Sequence, residues 1–261
     1  MRVFGMKVRL LPSEISGSGL QFLSCYLISD TVAIDAGSLG LVGTPNQQVR
    51  VDHVFLTHSH LDHVGGLPIF LDTVVEMGGE TVSLHATPWV LDVLQADIFN
   101  DRVMPDFVRI SQKGPVFLNL CPMEVGTMVF ADGLKITSIE VKHVVPTVAY
   151  IIDDGKDAIA IATDTAPCEN LYSKLEGIPN LRALLLDCSF PVKQKELAKV
   201  SGHLTTEDFA MVAKRFSPKI EVWAIHIKPR YHEEVLSELD KLLGSSARIL
   251  EAGRNYEWTT P

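Results

Sequence analysis

The order of apolar and polar residues along the chain predicts many short strands with helices between them. In the first third, apolar runs over residues 6–11, 21–29 and 31–34 are separated by Gly, Ser, Asp and Pro, which predicts antiparallel strands. A further apolar run over residues 51–57 predicts a buried strand, and the apolar spacing in residues 62–77 fits a helix better than it fits alternation. The segment between these two is therefore expected at a strand-to-helix turn.

The rest of the chain repeats this rhythm of strand and helix. The apolar patterns predict strands over residues 81–86, 134–143, 147–153, 158–163, 182–187, 221–227 and 248–251, with further strands near Val116 and Met128. They predict helices over residues 88–99, 169–175, 205–216 and 232–243, with one more near Glu196. Strands with helices on both sides predict two mixed sheets packed face to face under outer helices. We therefore expect an α+β fold, a four-layer αββα sandwich, as a single domain over residues 1–261.

Charge limits the size of the expected partner. The 261 residues include 32 Asp and Glu against 23 Lys and Arg, a formal net charge of -9, and the basic residues are dispersed along the sequence. A long polyanion such as nucleic acid would find no basic track, so nucleic acid is not an expected partner. A small phosphate ester is compatible with this charge balance, because a bound divalent metal can supply positive charge locally.

Cysteine spacing and the N-terminal sequence bear on location. Cys25, Cys121, Cys168 and Cys188 are far apart and form no CxxC pair, which argues against a Cys-ligated zinc site and against a disulfide framework. The first 14 residues contain no apolar stretch long enough for a signal peptide, and no segment has the length of a transmembrane helix. We therefore expect a cytoplasmic protein with no membrane partner.

The run from Thr57 to His63 contains four candidate metal ligands in six positions, His58, His60, Asp62 and His63. Residues i and i+2 of an extended loop point the same way, so His58 and His60 can bind one ion. Asp62 and His63 enter the following helix and turn toward a second ion. Imidazole and carboxylate ligands suit zinc, iron or manganese, and this donor set does not select among them.

Three residues at predicted strand ends can complete the ligand set, namely His143, Asp164 and His226. An unpaired carboxylate at Asp164 would be costly to bury, and a bridge between two cations removes that cost. The alternatives are a helix N-cap for Asp164 and a packed histidine for His226. Three other histidines are expected to be ordinary surface or hydrogen-bonded residues: His53, His85 and His232.

The motif and the later ligands together resemble the metallo-β-lactamase superfamily. The resemblance rests on residues 57–63 followed by His143, Asp164 and His226 in that order, and it spans nearly the whole chain. It implies the αββα fold. Carried over by position, it implies these ligands: His58, His60 and His143 for the first metal, Asp62, His63 and His226 for the second, and Asp164 as the bridge. It also implies that Asp35 orients a ligand histidine, the alternative being an ordinary turn aspartate.

Several segments outside this motif resemble class II cyclic-nucleotide phosphodiesterases. They lie at residues 97–101, 104–107, 187–191, 201–205 and 226–229. Met104 stands where that family favours tryptophan in the wall that stacks on the base. The resemblance implies hydrolysis of 3',5'-cyclic nucleotides, cAMP or cGMP, to 5'-nucleotides. It also implies the following substrate contacts: His203, Lys228, Phe99 and Asn100.

The chemistry of two metals supports this interpretation. Two ions about 3.5 to 4 Å apart can generate a bridging hydroxide at neutral pH and stabilise an in-line phosphoryl displacement. In this hypothesis the hydroxide attacks the cyclic phosphate, Asp62 orients it, and the 3'-oxygen leaves. His203 donates a proton to the leaving oxygen or binds the phosphate, the alternative being an N-cap role. Lys228 contacts the phosphate or is simply solvated. The expected cofactors are two divalent ions, zinc first, with manganese or iron as alternatives.

Three other functions stay open. tRNase Z resembles the chain at residues 164–165, at His203 before a helix and at residues 229–231, although the acidic balance weighs against tRNA. A mononuclear iron oxygenase would require Asp62 and His63 to be vestigial. A non-catalytic binding protein would have no need of a complete ligand set. The expected partner is a small phosphodiester, and the sequence leaves a homodimer open.

Overall fold

The computed structural model describes residues 6–13 and 17–258 of the chain. Residues 1–5, 14–16 and 259–261 lie outside the described residues. The prediction about the first 14 residues therefore falls partly outside them. Within the described part, the strands form two sheets of seven and six strands. No helix in that part is long and apolar enough to cross a bilayer.

The first sheet joins an antiparallel half to a parallel half. In chain order, the strands of the fold are β1 (Lys7–Leu10), β2 (Tyr26–Ile28), β3 (Val32–Ile34), β4 (His53–Phe55), β5 (Val82–Ala86), β6 (Leu118–Pro122), β7 (Met128–Ala131), β8 (Leu134–Val141), β9 (Thr147–Asp153), β10 (Ala158–Ala162), β11 (Leu181–Asp187), β12 (Glu221–Ile225) and β13 (Asn255–Glu257). The first sheet has the order β13-β1-β2-β3-β4-β5-β6. Its pairs from β13 to β3 are antiparallel, as predicted for the N-terminal strands, and its pairs from β3 to β6 are parallel.

The second sheet has the order β12-β11-β10-β9-β8-β7. Neighbouring strands from β7 to β10 are antiparallel, and β10, β11 and β12 are parallel to one another. It follows that β8, β10, β11 and β12 all run in one direction and end at the same edge of the sheet. The parallel strands β3 to β6 of the first sheet likewise end together. Carboxyl ends of parallel strands are where open α/β sheets usually bind ligands.

Helices cover the outer face of each sheet. In chain order they are α1 (Pro45–Gln48), α2 (Leu61–Val64), α3 (Leu67–Met77), α4 (Pro88–Val93), α5 (Phe107–Lys113), α6 (Glu169–Glu176), α7 (Lys195–Ser201), α8 (Thr206–Phe216) and α9 (His232–Leu243). A π-helical segment, Leu94–Ile98, continues α4. Across residues 6–13 and 17–258, buried apolar side chains form three clusters: between the first sheet and its helices, between the sheets, and between the second sheet and its helices. Three apolar clusters separate four structural layers, so the predicted αββα sandwich is confirmed.

Strands in the middle of each sheet are apolar on both faces. In β4, Val54 packs toward the outer helices while its neighbour Phe55 packs between the sheets. In β10, Ala160 faces the outer helices, and Ile159 and Ile161 face the first sheet. Successive side chains of a strand point to opposite faces, so a continuous apolar run indicates burial on both sides. The apolar runs at residues 51–57 and 158–163 therefore predict buried strands, and the structure has β4 and β10 within them.

The helix predicted over residues 62–77 is wrong as one continuous element. The chain instead forms the single turn α2 and then α3, with Gly65 and Gly66 between them. A Cβ on Gly66 would lie 2.7 Å from the Ala36 carbonyl oxygen and 2.8 Å from that of Gly37, closer than side chains tolerate. The break therefore follows from a close approach of two backbone segments, which apolar spacing does not report.

Two predicted strands also need correction. Of residues 21–29 only β2 is a strand, because the Gln21 side chain donates hydrogen bonds to the Leu11 and Leu23 carbonyls and holds the start of this run as a loop. Residues 248–251 contribute no strand, only an isolated bridge between Ala224 and Ile249. The strand that closes the first sheet is β13, which was not predicted, and the short helices α1 and α5 were also missed.

We expect the stability of the fold to fall in mild acid because of His85. Its Nε2 lies 3.1 Å from His53 Nδ1 and its ring stacks on Phe55 with centroids 4.2 Å apart. Burial, with a smaller effect of His53, lowers the pKa of His85 from its ordinary value of 6.5 to about 4. His85 therefore binds a proton more readily in the unfolded chain than in the folded one. Its contribution to the free energy of unfolding is complete above pH 6.5 and is lost as pH falls toward 4.

The measurement is urea unfolding of the wild type and of His85→Gln at pH 7 and at pH 5. The free energy of unfolding should drop by about 1 to 2 kcal/mol more in the wild type than in the variant between these two pH values. Other histidines titrate in both proteins, so the difference isolates His85. Equal drops would show that this histidine is not the acid-sensitive group.

Candidate metal centre

Polar side chains meet where strands of both sheets end. Asp35 directly follows β3, and His58 lies shortly beyond β4 in the first sheet. In the second sheet, His143 and Asp164 each lie two residues beyond β8 and β10, and His226 directly follows β12. Because the strands in each sheet end at a common edge, residues from distant parts of the sequence come together between the two sheets.

The first group of candidate ligands consists of His58, His60, His143 and Asp164, whose ligand atoms all lie within 4.8 Å of one another. His58 Nε2 and His143 Nε2 each lie 3.6 Å from Asp164 Oδ2. His143 Nε2 also lies 3.4 Å from His60 Nδ1. Ligand atoms that share a tetrahedral ion with bonds of about 2.0 Å are about 3.3 Å apart, so this spacing suits one ion of the size of zinc.

The second group consists of Asp62, His63 and His226. His226 Nε2 lies 3.3 Å from Asp62 Oδ2 and 3.4 Å from His63 Nε2. Asp164 Oδ1 lies 3.2 Å from His63 Nε2 and 3.4 Å from His226 Nε2. One oxygen of Asp164 therefore faces each group, which is the placement of a bridging carboxylate.

Two buried polar atoms in this cluster indicate that its residues fit a metal ion. Among the described residues, His58 Nε2 and Asp164 Oδ1 are buried polar atoms with no hydrogen-bond partner. Leaving such an atom unsatisfied costs about 1 to 3 kcal/mol, and native proteins do so rarely. A cation would satisfy both atoms, and a set of imidazoles and carboxylates without thiolate suits zinc, manganese or iron. The cluster could therefore hold a divalent metal.

Asp35 lies beneath the second group and contacts one of its rings. Asp35 Oδ2 accepts a hydrogen bond from His63 Nδ1 at 2.7 Å, and Oδ1 accepts one from the Thr57 backbone N–H at 2.8 Å. The hydrogen bond to Nδ1 leaves His63 Nε2 as the ligand atom and fixes the ring orientation. Asp35 adopts a left-handed backbone with φ of 59°, a strained conformation that tends to persist only where surrounding contacts hold it.

The ligand rings of the second sheet are held in the same way. His143 Nδ1 donates a hydrogen bond to the Gly202 carbonyl at 2.9 Å, which leaves Nε2 directed at the cluster. His226 Nδ1 lies 3.1 Å from Ser189 Oγ. His226 also has a left-handed backbone, with φ of 57°, directly at the end of β12. Such contacts fix both the tautomer and the direction of a ligand histidine.

Burial and charge set the protonation of these groups. Burial lowers the pKa of His58, and the neighbouring His63 lowers it further. Burial acts to raise the pKa of Asp164, but His226 and His63 outweigh it and hold that pKa well below its ordinary value. Burial likewise opposes the ionisation of Asp62, and the His226 hydrogen bond outweighs it and lowers the pKa. A neutral imidazole and ionised carboxylates are the forms that bind a metal.

His203 stands beside the cluster and is held by Asp187. Its Nδ1 donates a hydrogen bond to Asp187 Oδ2 at 2.7 Å, and its Nε2 lies 3.9 Å from Asp164 Oδ2. Burial lowers the pKa of His203, but the Asp187 carboxylate outweighs burial and raises it. Asp164, His203 and His226 also have ligand atoms within 4.8 Å of one another. The geometry therefore makes His203 a candidate proton donor and a further candidate ligand.

The other predicted substrate contacts divide into two cases. Lys228 Nζ lies 3.4 Å from His226 Nε2 and 3.7 Å from Asp62 Oδ2, so its charge stands at the cluster. Phe99 is only 1% exposed and packs edge-on against Phe107, which leaves almost no surface of it for a substrate. The Asn100 side chain accepts from the Arg102 and Val103 backbone N–H groups and shapes a turn. The structure thus brings Lys228 to the cluster but gives Phe99 and Asn100 roles in the fold.

Two residues of the network have no assigned role in the sequence-based predictions. Ser189 Oγ lies 2.6 Å from Asp187 Oδ1 and 3.3 Å from His203 Nδ1, besides its contact with His226. Asp187 also accepts a hydrogen bond from the Thr165 backbone N–H at 3.1 Å. The end of a buried strand, the signal that marks Asp164, also marks Asp187, and Ser189 lies in the same resembling segment at residues 187–191. The contacts of Ser189 with His203 and His226 could not be predicted, because those residues are distant in sequence.

Comparisons with known proteins point to one family. A family model described as a beta-lactamase superfamily domain matches residues 32–227. The chain is 29% identical over 173 residues to 3',5'-cyclic-nucleotide phosphodiesterase 1 of Saccharomyces cerevisiae, an alignment covering 58% of this chain and 47% of the yeast protein. The chain thus spans about half the length of that relative.

A second relative and a solved structure extend the comparison. Ribonuclease Z of Bradyrhizobium sp. (strain ORS 278) is 23% identical over 244 residues, which cover 72% of this chain and 76% of that protein. The crystal structure of unliganded yeast PDE1 matches with a TM-score of 0.76 at 17% identity, covering 97% of this chain and 99% of the yeast chain. At this identity the structural likeness shows a shared fold.

Elemental analysis of the purified protein is expected to find close to two transition-metal ions per chain. Because the ions would bind the native state, chelation should lower the melting temperature and readdition of zinc should restore it. Asp164→Asn should lower the metal content, since Asp164 faces both ligand groups. His232→Ala is the matched control, because His232 lies outside both groups. A single tightly bound iron in the wild type would contradict the two-metal assignment.

Proposed function

The chain belongs to the metallo-β-lactamase superfamily of metal-dependent hydrolases, and we propose that it is a phosphodiesterase that hydrolyses 3',5'-cyclic nucleotides to 5'-nucleotides. The match over residues 32–227 confirms the superfamily predicted from the motif at residues 57–63. Two divalent ions, zinc being the expected metal, would be held by His58, His60, His143, Asp62, His63 and His226, with Asp164 between them. The substrate, the identity and number of the ions and the residues that hold them all belong to the proposal.

One observation carries the proposal: Asp164 faces two groups of candidate ligands, and His203 stands beside it without being needed in either. Ions bound there would polarise a water molecule and neutralise the charge on the phosphate oxygens. The surrounding side chains must then hold the attacking water, bind the ester and protonate the leaving oxygen. We assign these tasks to Asp62, Lys228 and His203, respectively.

Asp62 is a candidate ligand that is accessible to substrate. Its side chain is 30% exposed, whereas that of Asp164 is 1% exposed. Its Oδ2 lies 3.7 Å from Lys228 Nζ, a cation that suits a phosphate oxygen. A carboxylate at this position can hold the attacking water by a hydrogen bond and take its proton.

His203 is the residue placed to protonate the leaving oxygen. Its Nδ1 is committed to Asp187, so Nε2 is the atom that can give up a proton. That nitrogen is directed toward Asp164 and therefore toward the ester bound at the cluster. Since an alkoxide is a poor leaving group, donation of a proton to it in the transition state supplies a large part of the rate for a ribose ester.

Two findings support a cyclic nucleotide as the ester. The segments at residues 187–191, 201–205 and 226–229, which resemble class II cyclic-nucleotide phosphodiesterases, supply Asp187, His203 and other contacts that meet around the ligand cluster. The yeast relative is named for the hydrolysis of 3',5'-cyclic nucleotides. A small cyclic phosphodiester also matches the net charge of -9, which provides no basic track for a polymer.

The second candidate is a ribonuclease Z-like enzyme that processes the 3' end of RNA. Several curated relatives carry that name, and one from Metallosphaera sedula is 23% identical with 95% of its length covered. The bond cleaved is again a phosphodiester, so the metal centre serves both reactions. Affinity for RNA depends largely on basic groups that contact its phosphates, and the acidic balance of this chain weighs against it. A mononuclear iron oxygenase would leave the Asp62, His63 and His226 group without a role.

Metal-loaded protein is expected to convert cAMP or cGMP to the 5'-nucleotide and to leave a tRNA precursor largely intact. The measurement offers cAMP, cGMP, bis(4-nitrophenyl) phosphate and a tRNA precursor in parallel, with zinc or manganese, and identifies products by chromatography. Asp164→Asn serves as the matched inactive control. Rapid turnover of the precursor with no turnover of the cyclic nucleotides would identify a ribonuclease and contradict the proposal.

His203→Ala is expected to slow turnover of a cyclic nucleotide by about 10²- to 10⁴-fold through loss of the proton donor. The metal content should be unchanged. The loss should be much smaller for bis(4-nitrophenyl) phosphate, because nitrophenolate leaves without protonation. Comparison of kcat for the two substrates, with metal analysis of the variant, makes the test. Equal losses on both substrates would point to phosphate binding, and loss of metal would make His203 a ligand.

A further inference from the structure

An apolar cavity of about 510 Å³ opens next to the metal centre. It lies between the loop at residues 17–24 and the C-terminal segment at residues 249–252, beside β12. Phe22, Leu10 and Leu236 are among the residues that line it. The cavity therefore offers an apolar space at the end of the fold that carries the candidate ligands.

The loop wall of this cavity is held in place before any ligand binds. The Gln21 side chain donates hydrogen bonds to the Leu11 carbonyl at 2.6 Å and to the Leu23 carbonyl at 2.9 Å. Ser13 Oγ accepts from the Phe22 N–H at 2.9 Å and from the Leu23 N–H at 2.8 Å. The side-chain amide of Gln21 is therefore engaged by the backbone and stabilises the loop.

The cavity adjoins the metal centre through two of its lining residues. His226 and Lys228 line the cavity, while His226 Nε2 belongs to the second ligand group. Lys228 Nζ lies 3.7 Å from Asp62 Oδ2, so the lysine stem borders the cavity and its charge stands at the cluster. The loop wall is also attached to the ligand motif, because the Ser24 N–H donates to the Asp62 carbonyl at 2.8 Å. A molecule whose phosphate lies at the metals can therefore extend into this space.

The lining describes the group that would occupy the cavity. Its walls are mostly carbon, and Phe22 is 46% exposed although it lines the cavity, so a ring can pack against it. A volume of about 510 Å³ falls within the range of small-molecule sites and accommodates a bicyclic ring. The lysine stands at the end nearest the metals, where the charged part of the ligand lies.

We propose that this cavity binds a planar aromatic group of the ester whose phosphate lies at the metal centre, which in a cyclic nucleotide is the base carried by the ribose. The inference rests on the proposed phosphodiesterase function and adds the structural basis of substrate choice. Binding energy from the ring, realised away from the reacting bond, would favour aromatic esters over small alkyl esters.

The test compares two esters with the same leaving group. Bis(4-nitrophenyl) phosphate retains an aryl group after nitrophenolate leaves, whereas methyl 4-nitrophenyl phosphate retains only a methyl group. Leu236→Trp would fill the cavity, and Phe22→Ala would remove the ring at its mouth. Phe130→Ala is the matched control, since Phe130 is a 71% exposed phenylalanine on β7, at the far edge of the second sheet.

Wild-type protein should prefer the aryl diester, and Leu236→Trp should lower kcat/KM for that ester by about 10- to 100-fold while affecting the methyl ester far less. Phe22→Ala should shift selectivity in the same direction by a smaller factor. Metal content should stay constant in every variant. Equal losses on both esters, or no loss on either in both variants, would overturn the cavity assignment. Absence of turnover of every phosphodiester by the metal-loaded wild type would instead overturn the proposed function, and this inference with it.

Discussion

The site depends on one buried carboxylate. Asp164 is 1% exposed and directs one oxygen at each ligand group. A buried charge of this kind is stable only beside positive charge. Burial lowers the pKa of His63, but Asp164 and Asp35 outweigh burial and raise it, so a protonated His63 can supply that charge. A metal ion at the same place would replace the proton, and binding would therefore release it.

The sandwich holds these charged residues at the ends of its strands, so its apolar core is not interrupted. The carboxylate lies two residues beyond β10, whose residues are buried on both faces, so the strand stays apolar while its end carries the charge. Asp35 and His226, which have strained φ angles, also lie directly after strands, β3 and β12. Gly37 lets the first sheet approach the ligand loop closely, because a Cβ there would overlap the Asp62 carbonyl oxygen. Apolar layers give rigidity, and the strand ends hold the chemistry.

Most of the scaffold could be predicted from the sequence because buried strands leave a local record. The apolar run of residues 158–163 and the polar residue after it indicate both β10 and the exceptional position of Asp164. What could not be predicted depends on contacts between distant segments. The break at Gly66 comes from the approach of residues 36–37, and β13 is a strand only because β1 offers it a free edge. Phe99 looked like a substrate contact in its motif, yet its surroundings make it a core residue.

The polar network around Ser189 links the candidate proton donor, His203, to a candidate metal ligand, His226. Asp187 accepts from His203 Nδ1 with one oxygen and from Ser189 Oγ with the other, and Ser189 Oγ lies 3.1 Å from His226 Nδ1. The His203 and His226 rings are stacked, with centroids 5.3 Å apart and planes 22° from parallel. Each ring is thus held from behind through Asp187 and presents Nε2 toward Asp164. The candidate proton donor and a ligand of the second group therefore share one buried anchor, so contacts with that anchor fix their separation.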